Sequence, residues 1–216
     1  MALQIVTKVL THFSQNARLL YCTETKEGVF LDPPCQAETL LKLAQDLGVT
    51  VKGIWLTHAH PDHCGGVASL KRLIDVPFFA HAEGRSLRSG VSQFITMFNL
   101  ESSGMEDCPE PDVVLAGGDT VQLGNLEFKV LYTPGHSPDH LCFYCAEEGG
   151  VFTGDTIFAG SIGRSDLPGG DYKLLMQSLQ EIILKLPPTT KVYSGHGTDT
   201  VIKDEIASNP FIRKYI

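Results

Sequence analysis

The run Gly53-Ile54-Trp55-Leu56-Thr57-His58-Ala59-His60-Pro61-Asp62-His63-Cys64-Gly65-Gly66 constrains this chain more than any other stretch. Ile54, Trp55 and Leu56 are apolar and read as the end of a buried strand. His58 and His60 are two apart, so strand geometry that persists this far points both to the same side. Pro61 ends regular pairing. Asp62 and His63 are then expected on the turn that follows. Gly65-Gly66 lets the chain bend tightly before Val67 to Ile74, whose apolar residues recur at helical spacing. Four potential ligands thus share one short strand-to-helix loop. Imidazole nitrogen and carboxylate oxygen suit zinc, iron, manganese or nickel. A polar loop of merely solvated histidines is the weaker reading, because three of the chain's eight histidines interleave here with an aspartate.

The rest of the chain supplies a scaffold for such a loop. Residues 3 to 10, 18 to 23 and 28 to 32 read as the strands of an opening meander, with Glu27-Gly28 as a turn signal. Residues 38 to 47 place Leu40, Leu41, Ala44 and Leu47 on one helical face, and Gly48 is a C-terminal stop. A short strand follows at 76 to 81. Residues 83 to 112 mix Gly, Ser, Met, Phe and acidic residues, and predict one short helix near 91 to 98 and then an excursion over the surface. A long irregular segment of this kind often forms a binding loop or lid. Strands resume at 120 to 123, 126 to 132, 141 to 146 and 150 to 153. Asp171 is placed to cap a helix carrying Leu174, Leu175, Leu179, Ile182, Ile183 and Leu186. A last strand at Val192-Tyr193 precedes a final helix over 200 to 207. Two similar halves of this order predict two sheets packed face to face with helices outside.

Three later segments repeat one pattern, in which a strand runs out and a Gly-flanked His or Asp sits on the loop. They are Thr133-Pro134-Gly135-His136-Ser137-Pro138-Asp139-His140, Phe152-Thr153-Gly154-Asp155-Thr156 and Tyr193-Ser194-Gly195-His196-Gly197. Glycines beside ligands let the backbone approach closely. The donors are then His58, His60, Asp62, His63, His136, Asp155 and His196, more than one tetrahedral metal needs. A dinuclear centre uses them economically. One metal takes three His, the other takes two His and a carboxylate, and a second carboxylate bridges.

Composition narrows the setting. At 216 residues the chain is long enough for one sizeable core and short for two full domains, so residues 1 to 216 are read as one domain. A net charge of −8 with no basic run argues against a nucleic-acid surface. No apolar run is long enough to span a bilayer, and the first ten residues lack a signal-peptide pattern, so a cytoplasmic protein is expected. Cys142 and Cys145 have CxxC spacing but lie in an apparent strand, where residues three apart face opposite ways. They read as small buried hydrophobes of a reducing compartment. Cys64 adjoins the histidines without adding a pattern of its own.

The succession THxHxDH, PGH, GD and GHG resembles the metallo-β-lactamase fold superfamily over essentially the whole chain. The resemblance implies an α+β fold, a four-layer αβ/βα sandwich with the site at one edge. Carried over by motif, His58, His60 and His136 would hold the first metal and Asp62, His63 and His196 the second, with Asp155 bridging. Gly163-Arg164-Ser165-Asp166 and the ending Gly195-His196-Gly197…Asn209-Pro210-Phe211 look closest to glyoxalase II-like hydrolases. By the same analogy Arg164 lies beside the site, either touching an anionic substrate or serving as an ordinary surface arginine. Two departures stand out. Full-length glyoxalase II enzymes add a helical C-terminal extension that grips glutathione, whereas this chain stops at Ile216. Pro34 stands in Leu31-Asp32-Pro33-Pro34 where the family commonly has glycine. Asp32 is either a residue that orients a metal ligand or a turn-initiating Asp before Pro.

These readings predict a metal-dependent hydrolase with two divalent metals, zinc first and iron or manganese next. A hydroxide held between two cations is a nucleophile at neutral pH, and it would attack a small-molecule thioester, such as a glutathione-derived one, with Asp62 helping to orient the water. A thiol of pKa about 8.5 leaves without a dedicated general acid. The alternative enzyme is a persulfide dioxygenase using one iron at His58, His136 and Asp155. A non-catalytic metal-binding protein fits less well, because no ligand position is degraded.

Overall fold

The computed structural model describes residues 2–213; Met1 and residues 214–216, the outer ends of the stretch read as one domain, lie outside them. In chain order the strands and helices are β1 (Leu3–Leu10), β2 (Gln15–Cys22), β3 (Glu27–Leu31), α1 (Ala37–Asp46), β4 (Thr50–Trp55), α2 (Pro61–Cys64), α3 (Val67–Leu73), β5 (Phe78–His81), α4 (Arg85–Arg88), α5 (Val91–Met97) and β6 (Val113–Leu115). The second half continues with β7 (Thr120–Leu123), β8 (Leu126–Tyr132), β9 (Leu141–Cys145), β10 (Gly150–Gly154), β11 (Ile157–Phe158), β12 (Ser161–Ile162), α6 (Tyr172–Glu181), β13 (Lys191–Ser194), β14 (Thr200–Val201) and α7 (Ile202–Ser208). Among the described residues, no helix is long and apolar enough to cross a membrane.

One sheet has the order β1-β2-β3-β4-β5-β6 and the other β14-β13-β10-β9-β8-β7, with β11-β12 as a separate hairpin. The sheets face each other over Leu20, Val29, Leu31 and Trp55 on one side and Phe128, Val130, Phe143 and Phe152 on the other. Trp55 is the centrepiece. Its ring stacks on Phe143 at 5.1 Å and meets Phe128 edge-on at 5.1 Å. The outer face of the first sheet is covered by α1, α3 and α5 through Leu40, Ala44, Val67, Leu70, Val91 and Ile95. The outer face of the second is covered by α6 and α7 through Leu175, Leu179 and Ile202. The four layers are those of the expected αβ/βα sandwich. Cys142 joins the outer core and Cys145 the inter-sheet core, so the CxxC pair faces opposite ways.

Local differences from the sequence reading have physical reasons. β2 begins at Gln15 rather than residue 18, because Gln15 and Asn16 are buried by hydrogen bonds rather than by apolar contact. Asp62 and His63 sit on a single helical turn, α2, that starts at Pro61, whose fixed φ suits a first helical position. Asp171 caps α6 by accepting from the amides of Lys173 and Leu174. The helix ends at Glu181, and Ile183–Lys185 form a tighter 3-10 turn before Pro187. The final helix starts at Ile202, since Thr200–Val201 pair as β14 with β13. Residues 83 to 112 hold α4 and α5 with two 3-10 turns between β5 and β6.

Candidate metal centre

All seven predicted donors converge. His58 and His60 follow the end of β4, and α2 carries Asp62 and His63. His136 follows β8, Asp155 follows β10 and His196 follows β13. β10 and β13 are parallel neighbours, so Asp155 and His196 emerge side by side. β8 runs antiparallel to β9 and β9 to β10, which brings His136 out at the same edge. The two halves join there, as the amide of Leu141 donates to the carbonyl of Thr57 at 2.7 Å. Close approach explains Gly195, where a Cβ would collide with Asp155 Oδ1 and the His63 ring.

The donors form two overlapping clusters. In the first, His60 Nδ1 lies 3.1 Å from His58 Nε2 and 2.9 Å from His136 Nε2. In the second, His196 Nε2 lies 3.3 Å from His63 Nε2 and 3.3 Å from Asp62 Oδ2. Asp155 faces both, with Oδ2 3.6 Å from His136 Nε2 and Oδ1 3.4 Å from His63 Nε2. Tetrahedral zinc with Zn–N bonds of about 2.0–2.1 Å spaces its ligand nitrogens by about 3.3 Å. The observed separations match that polyhedron.

Proton positions follow from the outer partners. Thr57 donates its hydroxyl hydrogen to Asp32 Oδ2 at 2.7 Å, so its oxygen accepts from His58 Nδ1 at 3.1 Å. His63 Nδ1 donates to Asp32 Oδ2 at 3.0 Å, His136 Nδ1 to the Arg164 carbonyl at 2.7 Å and His196 Nδ1 to the Phe13 carbonyl at 2.9 Å. Four imidazoles therefore keep a proton outside and turn Nε2 inward. Converging lone pairs need a cation or a proton between them, and outer hydrogen bonds of this kind fix ring orientation at metal sites. Asp155 Oδ1 is buried with no hydrogen-bond donor. A buried carboxylate oxygen without a donor is costly unless a cation compensates it. The donor set thus fits two divalent metals.

Electrostatics separates the clusters. Burial, then the neighbouring imidazoles, pushes His58 well below its ordinary value, and burial with His136 pushes His60 down to about 3. Burial opposes charge on His63, yet Asp155, Asp32 and Asp62 outweigh it and raise it to about 10. Burial alone would raise Asp62, but the hydrogen bond from His196 and the charge of His63 hold it well below the usual carboxylate range. The first cluster is a neutral nitrogen cage, and the second is a seat for positive charge.

The remaining candidates have definite places. Asp32 takes the amide and hydroxyl of Thr57 and His63 Nδ1 on its two carboxylate oxygens. Arg164 reaches the centre through its carbonyl, while its exposed guanidinium pairs with Asp166 at 2.8 Å. Sequence reasoning missed two residues of the His136 loop. Asp139 Oδ2 accepts the amide of Ala59, between His58 and His60, at 2.9 Å. His140 Nε2 accepts the amide of Asp155 at 3.0 Å, and its ring stacks on His58 at 4.9 Å. The signal was their place in the same eight-residue run as His136.

The model of the metallo-beta-lactamase superfamily matches residues 22–196. Hydroxyacylglutathione hydrolase GloC of Haemophilus influenzae is 33% identical over 210 residues, covering 94% of this chain and 95% of that protein. The crystal structure of BLEG-1 B3 metallo-beta-lactamase superposes with a TM-score of 0.88 at 35% identity, over 97% of this chain and 99% of that one. The crystal structure of TTHA1623 in a di-iron-bound form gives 0.86 at 39% identity, over 95% and 99%.

Proposed function

Because this chain belongs to the metallo-β-lactamase superfamily, whose members include metal-dependent hydrolases, we propose that it hydrolyses a thioester of the glyoxalase II type at a pair of divalent cations. The carrying observation is the set of inward lone pairs: four imidazoles protonated on the outer nitrogen, gathered around a buried Asp155 oxygen that lacks a donor. His58, His60 and His136 would hold one cation, and Asp62, His63 and His196 the other, with Asp155 between. The 33% identity to hydroxyacylglutathione hydrolase GloC supports a small thioester, such as a glutathione-derived one, as substrate.

Zinc suits this donor set best, with iron or manganese as the other candidates. Bound cations acidify a water and polarise a carbonyl. The protein's own residues do the rest. Asp32 retains the outer proton of His63 and so makes its inner nitrogen more basic. Asp62, its side chain 17% exposed at the mouth, stays ionised and orients the attacking water by accepting its hydrogen. The leaving thiol, of pKa about 8.5, departs as thiolate without a protein acid. All six cysteines are free and buried, which accords with a reducing, cytoplasmic setting.

The test is metal analysis of purified protein together with a substrate panel. Two equivalents of metal and turnover of S-lactoylglutathione or a simpler thioester are expected. Oxygen uptake with glutathione persulfide by protein holding one iron would replace this reading with the dioxygenase, and β-lactam turnover alone with a lactamase. Full activity after metal removal would overturn all three.

A further inference from the structure

The loop that carries His196 runs on from β13 and meets β2 of the other sheet through one antiparallel bridge, His196 to Gln15. Its backbone carbonyls therefore need partners from elsewhere. Asn16 supplies three of them. Its side-chain amide donates to the carbonyls of Ser194 and Gly197, each at 3.0 Å, and its backbone amide donates to the carbonyl of Gly195 at 2.7 Å. The fourth, the carbonyl of His196, accepts from Ser194 Oγ at 2.8 Å. Arg18 braces the same loop. Its Nη2 donates to the Ser194 carbonyl at 3.0 Å and to Asp199 Oδ1 at 2.7 Å, and its Nη1 donates to Thr7 Oγ1 at 2.9 Å. Asn16 and Arg18 are both buried, two apart on one strand and so on one face of it.

His196 depends on such a clamp more than its cluster mates do. Asp62 and His63 share the single turn α2, whereas His196 arrives from a segment 133 residues beyond His63. Its side chain is also 22% exposed, so packing alone does not fix it. The bond from His196 Nδ1 to the Phe13 carbonyl sets the rotation of the ring, but not the position of the loop. Both hydrogens of the Asn16 NH2 are used on the loop, and no acid or aliphatic side chain of that size offers two donors. Gln15, one residue earlier, donates to the carbonyl of Asp32, which in turn holds His63. The start of β2 thus touches the supports of both histidines of the second cluster. We infer that Asn16 is a positioning residue for the second cation, holding the His196 loop where His196 Nε2 meets Asp62 and His63, with Arg18 as its brace. The ligand in this inference rests on the two-cation reading, but the clamp is testable without metal.

Asn16→Asp keeps the shape and the backbone amide, removes both side-chain donors and sets a carboxylate against two carbonyls. Asp199→Ala only loosens the brace, at a side chain 44% exposed, where the fold is safe. Zinc-loaded protein is titrated with a chromophoric chelator, and His60→Ala and His196→Ala mark which step belongs to which cluster. Asn16→Asp is expected to weaken the step that His196→Ala abolishes by about 10–100-fold, and to leave unchanged the step that His60→Ala abolishes. Asp199→Ala is expected to weaken the same step by less. Hydrogen–deuterium exchange is followed alongside on the metal-free chain, where faster exchange over residues 194 to 199 is expected in both variants, with β4 and α6 unchanged. If wild type takes up one cation only but exchange rises in this way, the clamp stands and the two-cation reading falls. Equal weakening of both steps, or faster exchange spread over both sheets, makes Asn16 an ordinary structural residue and overturns the inference. So does an Asn16→Asp protein with wild-type affinity and exchange. Should Asn16→Asp fail to fold, Asp199→Ala decides by the same two measurements.

Discussion

Asp32 satisfies three donors with two oxygens, and one of them is the outer nitrogen of His63. Exchange of Asp32 for Asn removes an acceptor and turns an amide NH2 toward either Thr57 or His63. Metal affinity at the cluster holding His63 is expected to fall about 10–100-fold, measured by competition with a chromophoric chelator. The seven residues that converge were legible in the sequence because each is a strong ligand type, four on one short strand-to-helix loop and three on Gly-flanked loops. Asp139 and His140 were not, since they act through backbone amides of residues distant in the chain. Asp32 was only half legible. An Asp before two prolines looks like a turn former, and its contact with His63 depends on the pairing of β3 with β4.

At the scale of elements, the His136 loop owes its path to α6. Gly135 has φ +133°, and a Cβ there would collide with the backbone of Leu175 in α6. Its carbonyl also accepts the amide of Asp171, the cap of that helix, at 2.8 Å. Gly135→Ala is expected to cost at least ~2 kcal/mol from strain and overpacking, seen as a lower urea midpoint, and to weaken metal binding by displacing His136. The main strands and longer helices were readable because their apolar periodicity is strong. β6, β11, β12 and β14 were not, being two or three residues long and set by tertiary pairing. α2 was read as a turn because one helical turn has no periodicity to detect.

For the molecule as a whole, the centre couples metal, protons and stability. In the metal-free chain His58, His60, His136 and His140 are all depressed below 6.5. They favour the fold above that pH, and their contribution is lost as pH falls, for His60 down through about 3. His63 has the opposite sign. Raised from 6.5 to about 10, it favours the fold below 6.5, and that contribution is lost as pH rises through about 10. Asp139, raised by burial from 3.8 to about 6, opposes the histidines on the acid side, but it is one group against four imidazoles. Metal-free protein is therefore expected to be most stable near pH 6.5 and to weaken on both sides, by urea unfolding followed with circular dichroism. Metal loading is expected to raise stability by RT ln(1 + [M]/Kd), about 4 kcal/mol at a thousandfold excess over Kd. It should also flatten the alkaline limb, because a cation then takes the place of the His63 proton.

Trp55 is the chain's one tryptophan, wedged between Phe128 and Phe143 where the two sheets meet and two residues upstream of Thr57. The molecule thus carries its single indole, selectively excited apart from its six tyrosines, at the joint between its halves. Its emission will stay blue while the sheets are closed and move to the red once they part, so an unlabelled sample reports the opening of the sandwich in real time.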